Sequence, residues 1–223
     1  MSPLWLFWLL IVHYSIPFTN AAKKAYVASS ENETCPAHPC LTLNDYAREA
    51  SQYFLDNTTF IFLSGIHQLD THLHLESVSS VVLRGSNEFH NDSVRVYLSP
   101  LVNITWIDCN YIEISDLVIL LSGDSAVRSS FSALEFQRTI SSLSKLVLLG
   151  NGALQSTAIR ANSSQVTISD VKVLGANSLT GAALYALNST VDFLGQNVFI
   201  NNTATDGGAL ALHHSVAIFH GNI

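Results

Sequence analysis

AIRANSSQVTISDVKVLGANSLTGAALYALNSTVDFLGQNVFINNTATDGGAL, from Ala158 to Leu210, decides the fold, because it repeats itself. Ala158-Ile159, Ala183-Leu184 and Ala209-Leu210 recur at steps of 25 and 26 residues, and Ala133-Leu134 extends the column one step upstream. A second column keeps nearly the same step: Ile114, Leu143, Ile168, Phe193 and Phe219. The earlier of these head similar frames, such as Leu143-Ser-Lys-Leu146-Val-Leu148 and Ile168-Ser-Asp-Val171-Lys-Val173; Val78-Ser-Ser-Val81-Val-Leu83 reads as a further copy. A period of about 25 residues built from short apolar runs with no helical pattern marks a β-solenoid. The rival at this period, a leucine-rich repeat, lacks its Leu-x-x-Leu-x-Leu-x-x-Asn frame. The expected fold is therefore all-β, a right-handed parallel β-helix, since parallel crossovers are almost always right-handed. Six or seven turns stacked at about 4.8 Å make a rod of about 30 Å.

Stacking predicts what lies beside the apolar columns. Glu135, Arg160 and Tyr185 follow successive copies of the alanine column, placing an acid, a base and an aromatic ring one above another. Asp116, Lys145 and Asp170 form a second such ladder, and Asn177 is expected to stack its amide on Asn202. Asp206-Gly207-Gly208 supplies a sharp corner, because glycine reaches φ > 0 without cost; a phosphate-cradling loop would need a helix after it, and strand residues follow instead.

Upstream the period changes. Leu43, Tyr46, Ala47, Ala50, Tyr53 and Phe54 fall on one face of a helix over 42–56, with Thr42 as N-cap and Asp45 closing a capping box. This amphipathic helix caps the N-terminal end, giving a cap over 23–58 and a β-helix over 59–223. Nothing comparable caps the other end, so the chain is expected to be truncated there or to pair end to end. Before the cap, Leu4 to Val12 is an apolar run too short to span a bilayer, followed by small residues up to Ala21 and Ala22. Residues 1–22 read as a secretory signal peptide, an uncleaved signal anchor being the other reading. No membrane span is expected in the mature chain, which is placed outside the cell or at its surface.

Of 223 residues, 17 are acidic and 10 basic, a net charge of −7 that speaks against a nucleic-acid partner. The 48% apolar content excludes a disordered chain. Cys35 and Cys40 flank Pro36-Ala37-His38-Pro39, a loop that a disulfide can close in an oxidising compartment, the other reading being two unpaired thiols. Cys109 is then expected to be a buried apolar filler. Three cysteines without a Cys/His spacing give no zinc site. Asn-x-Ser/Thr acceptors for N-glycosylation occur at Asn32, Asn57, Asn91, Asn103, Asn162, Asn188 and Asn201, in agreement with export.

Phe199, Asn202, Gly207, Gly208, Ala209 and Leu210 form a motif that resembles the repeat of the polymorphic outer-membrane-protein family, with its F-x-x-N and G-G-A-I/L signatures. Gly181-Ala-Ala-Leu184 is similar to a degenerate copy, and the wider frame around Trp106 to Ile114 resembles the pectin-lyase-like superfamily. The resemblance implies a β-helix in a secreted or surface-displayed protein, often adhesive. The family's membrane-embedded β-barrel has no counterpart in this chain.

Carbohydrate-cleaving β-helices need converging acids and bases. Here the acids are dispersed, and Lys145 lies between Asp116 and Asp170, where it would neutralise a calcium site. His72 and His74, with Asp70 beside them, share a strand face and are read as solvent-facing rather than metal-binding. His213-His214 is read as one ring inward and one outward. No catalytic residue, cofactor or metal is assigned. The expectation is a non-catalytic scaffold for adhesion or for binding an extracellular glycan or protein; the alternative is a polysaccharide lyase or glycoside hydrolase with a divergent or missing active site.

Overall fold

The structure, a computed structural model, describes residues 23–30, 35–37, 40–49, 57–86, 94–121, 131–150 and 156–220. The signal segment, Asn32 and Asn91 lie outside them. All inter-strand pairing is parallel, and the chain coils through three sheets in turn. Sheet A contains Lys23–Ala28, Thr58–Phe62, Ser80–Gly85, Tyr111–Ser115, Ile140–Ser144, Gln165–Ser169, Thr190–Leu194 and Val216–His220, with Cys40–Thr42 outside the first. Sheet B stacks Ile66–Leu69, Arg95–Leu98, Val118–Leu121, Val147–Gly150, Lys172–Leu174 and Val198–Ile200. Sheet C stacks Leu73–Glu76, Ile104–Ile107, Phe131–Gln137, Ser156–Asn162, Leu184–Leu187 and Leu210–His213. A short sheet D, Asn177–Thr180 on Thr203–Asp206, sits between B and C in the later coils. The expected β-solenoid is therefore observed, with a period of about 26 residues.

Both repeat columns stack facing inward and are buried until the last coil, where Leu210 is partly buried and Phe219 exposed. Leu134, Ile159, Leu184 and Leu210 are direct partners in sheet C, and Ile114, Leu143, Ile168, Phe193 and Phe219 in sheet A. The earliest copy needs correction. Leu83, not Val78, partners Ile114, and Val81 partners Ile112. The Val78 frame crosses the corner into sheet A, whereas the Ile114 frame crosses the corner out of it, so equal spelling marks different places. A third inward column runs Leu75, Trp106, Phe136, Ala161, Ala186, large below and small above. Trp106 and Phe136 stack with centroids 4.8 Å apart and are fully buried; two such side chains bury some 150–250 Å² each and dominate the middle of the rod.

Corners are where the sequence pays conformational strain. Entering sheet A from sheet C, Asp108, Arg138, Ser163, Asn188 and His214 all take left-handed φ between 49° and 53°. This disfavours non-glycine residues by roughly 1–2 kcal/mol each. The next residue in each coil supplies the compensation. Thr139, Ser164, Ser189 and Ser215 point their hydroxyls down the rod, accepting from Cys109 N–H (3.4 Å), Thr139 N–H (3.1 Å), Ser164 N–H (3.0 Å) and Ser189 N–H (3.0 Å) respectively. Each hydroxyl donates in turn to a carbonyl two residues back, as Ser189 does to Leu187 at 2.7 Å.

At the N-terminal end the helix is observed over Leu43–Arg48, closed by Glu49; residues 50–56 of the expected 42–56 lie outside the described residues. The capping box forms, Asp45 N–H donating to Thr42 Oγ1 and Thr42 N–H to the Asp45 carboxylate, both at 3.3 Å. Leu43 and Tyr46 are buried, and Tyr46 sets its ring edge-on to Phe60. Buried His67 ties cap strand to first coil, with Nε2 2.7 Å from the Leu63 carbonyl and Nδ1 3.2 Å from that of Ala28. No helix among the described residues is long and apolar enough to cross a membrane.

Candidate functional site

Because alternate residues of a strand face outward, parallel stacking turns the outside of sheet A into columns. One runs Lys24, Thr59, Val82, Glu113, Ser142, Thr167, Asp192, Ile218; its neighbour runs Tyr26, Ile61, Arg84, Ser115, Ser144, Ser169, Leu194, His220. The middle of the face is thus a patch of small hydroxyls from Ser142, Thr167, Ser144 and Ser169, Ser115 being buried, with Tyr111, Ile140 and Gln165 along its entering edge. Tyr111 is partly exposed and its hydroxyl donates to Glu113 at 3.4 Å. Burial first, and then the Glu113 charge, push its phenol above the ordinary range.

Charged corners flank this face. On the exit side Asp116, Lys145, Asp170 and Gly195 share one left-handed corner row. The Asp116 carboxylate is held between Arg84 (3.5 Å) and Lys145 (4.0 Å), and Asp170 accepts from Gln196 N–H at 2.9 Å. On the entering side Arg138 reaches down to Asp108, with Nη2 2.7 Å from Oδ2. The Arg138 hydrogen bond holds the Asp108 carboxyl below the usual range. Asp70, at the B-to-C corner, is lowered by hydrogen bonds from Ser99, Gln68 and Asn44.

On sheet C, Glu135, Arg160 and Tyr185 do align, and Arg160 lies 5.4 Å from the Tyr185 ring centroid. The Glu135 carboxylate accepts from Ser132 and Gln137. The amide ladder expected at Asn177 and Asn202 is off by one residue: Asn177 partners Thr203. Asn202 instead accepts from Ala176 N–H at 3.0 Å and donates to the Val173 carbonyl at 2.9 Å, bridging two coils. Asn197 does the same one corner earlier, with Val171 N–H and the Ile168 carbonyl. An asparagine here replaces a missing ladder bond, which needs one residue per pair of coils rather than a stack.

His213 and His214 are both exposed, which corrects the expectation of one inward ring. His213 tilts against Tyr185 with centroids 5.4 Å apart, and His214 occupies the left-handed corner, where strand alternation ends. His72 and His74 are exposed, His72 Nδ1 lying 2.6 Å from Asn103 Oδ1. Among the described residues no three His, Cys, Asp or Glu side chains group as metal ligands. Cys35 and Cys40 come to bonding distance, their Cα atoms 6.1 Å apart, inside the span a disulfide takes. Cys109 is buried, which pushes its thiol up. Gly207 has φ of +78°, and a Cβ there would stand 2.6 Å from the Leu210 carbonyl oxygen. Phe199 packs partly buried against the core, edge-on to Phe193. A polar groove of about 250 Å³ beside the cap is lined by Ser29, Ser30, Thr42, Asn44, Arg48 and Gln68.

The corner hydroxyls were the unread signal. Thr139, Ser164, Ser189 and Ser215 recur at 25, 25 and 26 residues, a third column keeping the period of the other two. No family model, curated protein or solved structure matches this chain.

Proposed function

We propose that this chain is a secreted or surface-displayed, non-catalytic β-helix that binds an extracellular glycan or protein ligand on the outer face of sheet A. The observation that carries the reading is the arrangement of the acids. Glu113 and Asp192 share one outward column but are separated by Ser142 and Thr167, three inter-strand steps or about 14 Å. Paired glycosidase carboxylates stand about 5–9.5 Å apart. The corner acids Asp116 and Asp108 are neutralised by Arg84, Lys145 and Arg138 instead of converging on a substrate. Between them lies a broad surface of hydroxyl, amide and phenol groups suited to many weak contacts. The likeness of the Phe199 to Leu210 repeat to the polymorphic outer-membrane-protein family, within the pectin-lyase-like superfamily, supports an adhesive role and the right-handed coil.

The test is twofold. Purified chain is assayed for binding to a panel of acidic and neutral extracellular polysaccharides and to matrix proteins, alongside Ser142→Arg and Thr167→Arg, which block the middle of the face. Saturable binding lost in both variants supports the reading. Saturable release of reducing ends or of unsaturated sugar products from any polysaccharide refutes it and favours an enzyme.

A further inference from the structure

An N-glycan is attached through the side-chain nitrogen of asparagine, replacing one of its two N–H donors and needing open space beside it, so a nitrogen spent on holding the fold makes a poor acceptor. Three asparagines outside Asn-x-Ser/Thr do spend it: Asn44 Nδ2 donates to Asp70 at 3.1 Å, Asn197 Nδ2 to the Leu194 carbonyl at 2.8 Å, and Asn202 Nδ2 to the Val173 carbonyl at 2.9 Å. The five described sequon asparagines behave differently. Asn103 and Asn162 engage only their oxygens, with His72 Nδ1 at 2.6 Å and Ser163 Oγ at 3.3 Å. Asn57, Asn188 and Asn201 sit exposed in left-handed corners, where the side chain projects from the rod. In none of the five does the amide nitrogen donate to a group among the described residues.

Their placement is also ordered. Asn103 immediately precedes the sheet C strand Ile104–Ile107, and Asn201 follows the sheet B strand Val198–Ile200, so both lie on the passage from B to C. Asn162 ends a sheet C strand and Asn188 turns the next corner, so these two lie on the passage from C to A, while Asn57 leads into Thr58–Phe62 of sheet A ahead of the first sheet C strand. The described corner row from A to B is Asp116, Lys145, Asp170 and Gly195, without an acceptor.

We propose that Asn57, Asn103, Asn162, Asn188 and Asn201 are N-glycan acceptors, the last four placing their sugars along the two edges of sheet C. The proposal rests on the secretory reading above. Sheet C then carries sugar along both edges, whereas among the described residues sheet B carries it along one.

The full chain is expressed in a glycosylating eukaryotic cell line, once with its own N-terminus and once behind a foreign secretion leader. Enzymatic deglycosylation in heavy-oxygen water converts occupied asparagines to labelled aspartates, which peptide mass spectrometry locates. All five are expected to carry the label; label confined to one or two of them overturns the proposal. Secretion and labelling only behind the foreign leader would sink the secretory reading while leaving the acceptor assignment standing. Position is read separately by hydroxyl-radical labelling. Removing Asn103, Asn162, Asn188 and Asn201 together by Asn→Gln is expected to raise labelling of Tyr185, outward on sheet C, several-fold more than that of Tyr97, outward on sheet B. Equal changes at both tyrosines overturn it. Asn103→Gln and Asn162→Gln, both outside the left-handed positions, should leave the melting temperature of the unglycosylated chain where it was, and Asn202→Gln should lower it; a drop for all three overturns the division of labour between the two kinds of asparagine.

Discussion

Replacing Ser189 by alanine isolates the corner ladder from the apolar stack. Its hydroxyl accepts from Ser164 N–H at 3.0 Å and donates to the Leu187 carbonyl at 2.7 Å, and the residue is 5% exposed. Alanine fits the space, so no clash enters the comparison. What is lost is one bond made and one buried N–H left without a partner. A net hydrogen bond is worth about 1 kcal/mol and an orphaned buried donor costs about 1–3 kcal/mol, so a loss of about 2–4 kcal/mol is expected. At about 2–4 °C per kcal/mol for a chain of this size, the melting temperature should fall by about 4–16 °C. Circular dichroism of the unglycosylated chain through a thermal ramp measures it. The other rungs supply the controls: Ser189→Thr copies Thr139 and should sit near wild type, while Ser189→Cys copies Cys109, a weaker hydrogen-bonding group, and should fall between. Ser169, outward on sheet A, gives the baseline, with Ser169→Ala within about 0.5 kcal/mol of wild type. If Ser189→Ala melts with Ser189→Thr, the hydroxyls are passengers and the strain at the left-handed corners is relieved in some other way.

Gly207→Ala should destabilise by well over 1 kcal/mol, since a left-handed φ of +78° is compounded by a Cβ 2.6 Å from the Leu210 oxygen; Gly208→Ala, with φ of +49° and nothing within 4 Å, should cost about 1 kcal/mol, and equal unfolding midpoints in urea would contradict this. Trp106→Ala should cost about 3–5 kcal/mol by the same titration. Trp106→Phe should cost clearly less, because it keeps a ring on Phe136 and removes an indole N–H that is buried without a partner. Asp70 has a folded pKa depressed by Ser99, Gln68 and Asn44, so its stabilisation is present above the unfolded carboxylate pKa and is lost as pH falls through the folded one. Asp70→Asn should flatten the acid limb of a stability-against-pH curve slightly, solvent screening keeping the effect small at this exposed site. Native Cys109 should resist a thiol reagent at neutral pH and react at once on unfolding, as its burial and raised thiol pKa require.

What the sequence made legible follows from what a solenoid repeats. An inward position is squeezed between the same position one coil below and one coil above, so Ile114, Leu143, Ile168 and Phe193 must all be apolar and the period is written in them. The corner hydroxyls are under the same constraint and were just as regular, but serine and threonine also abound in loops, and their spacing was hidden by the sequons that overlap it at Asn162-Ser163-Ser164 and Asn188-Ser189-Thr190. Register failed where a coil is not the standard length: Val81 to Ile112 spans 31 residues and Ile112 to Ser141 spans 29, so similar spellings at Val78 and Ile114 fell on opposite corners. Outward positions carry no such constraint. Glu113, Ser142, Thr167 and Asp192 occupy one column with four different side chains, because water tolerates them all. The face most open to selection for a ligand is therefore the one on which periodicity is silent. Its reading had to wait until register placed Glu113 and Asp192 in the same column, three coils apart, too distant to act as a catalytic pair and spread widely enough to contact an extended ligand.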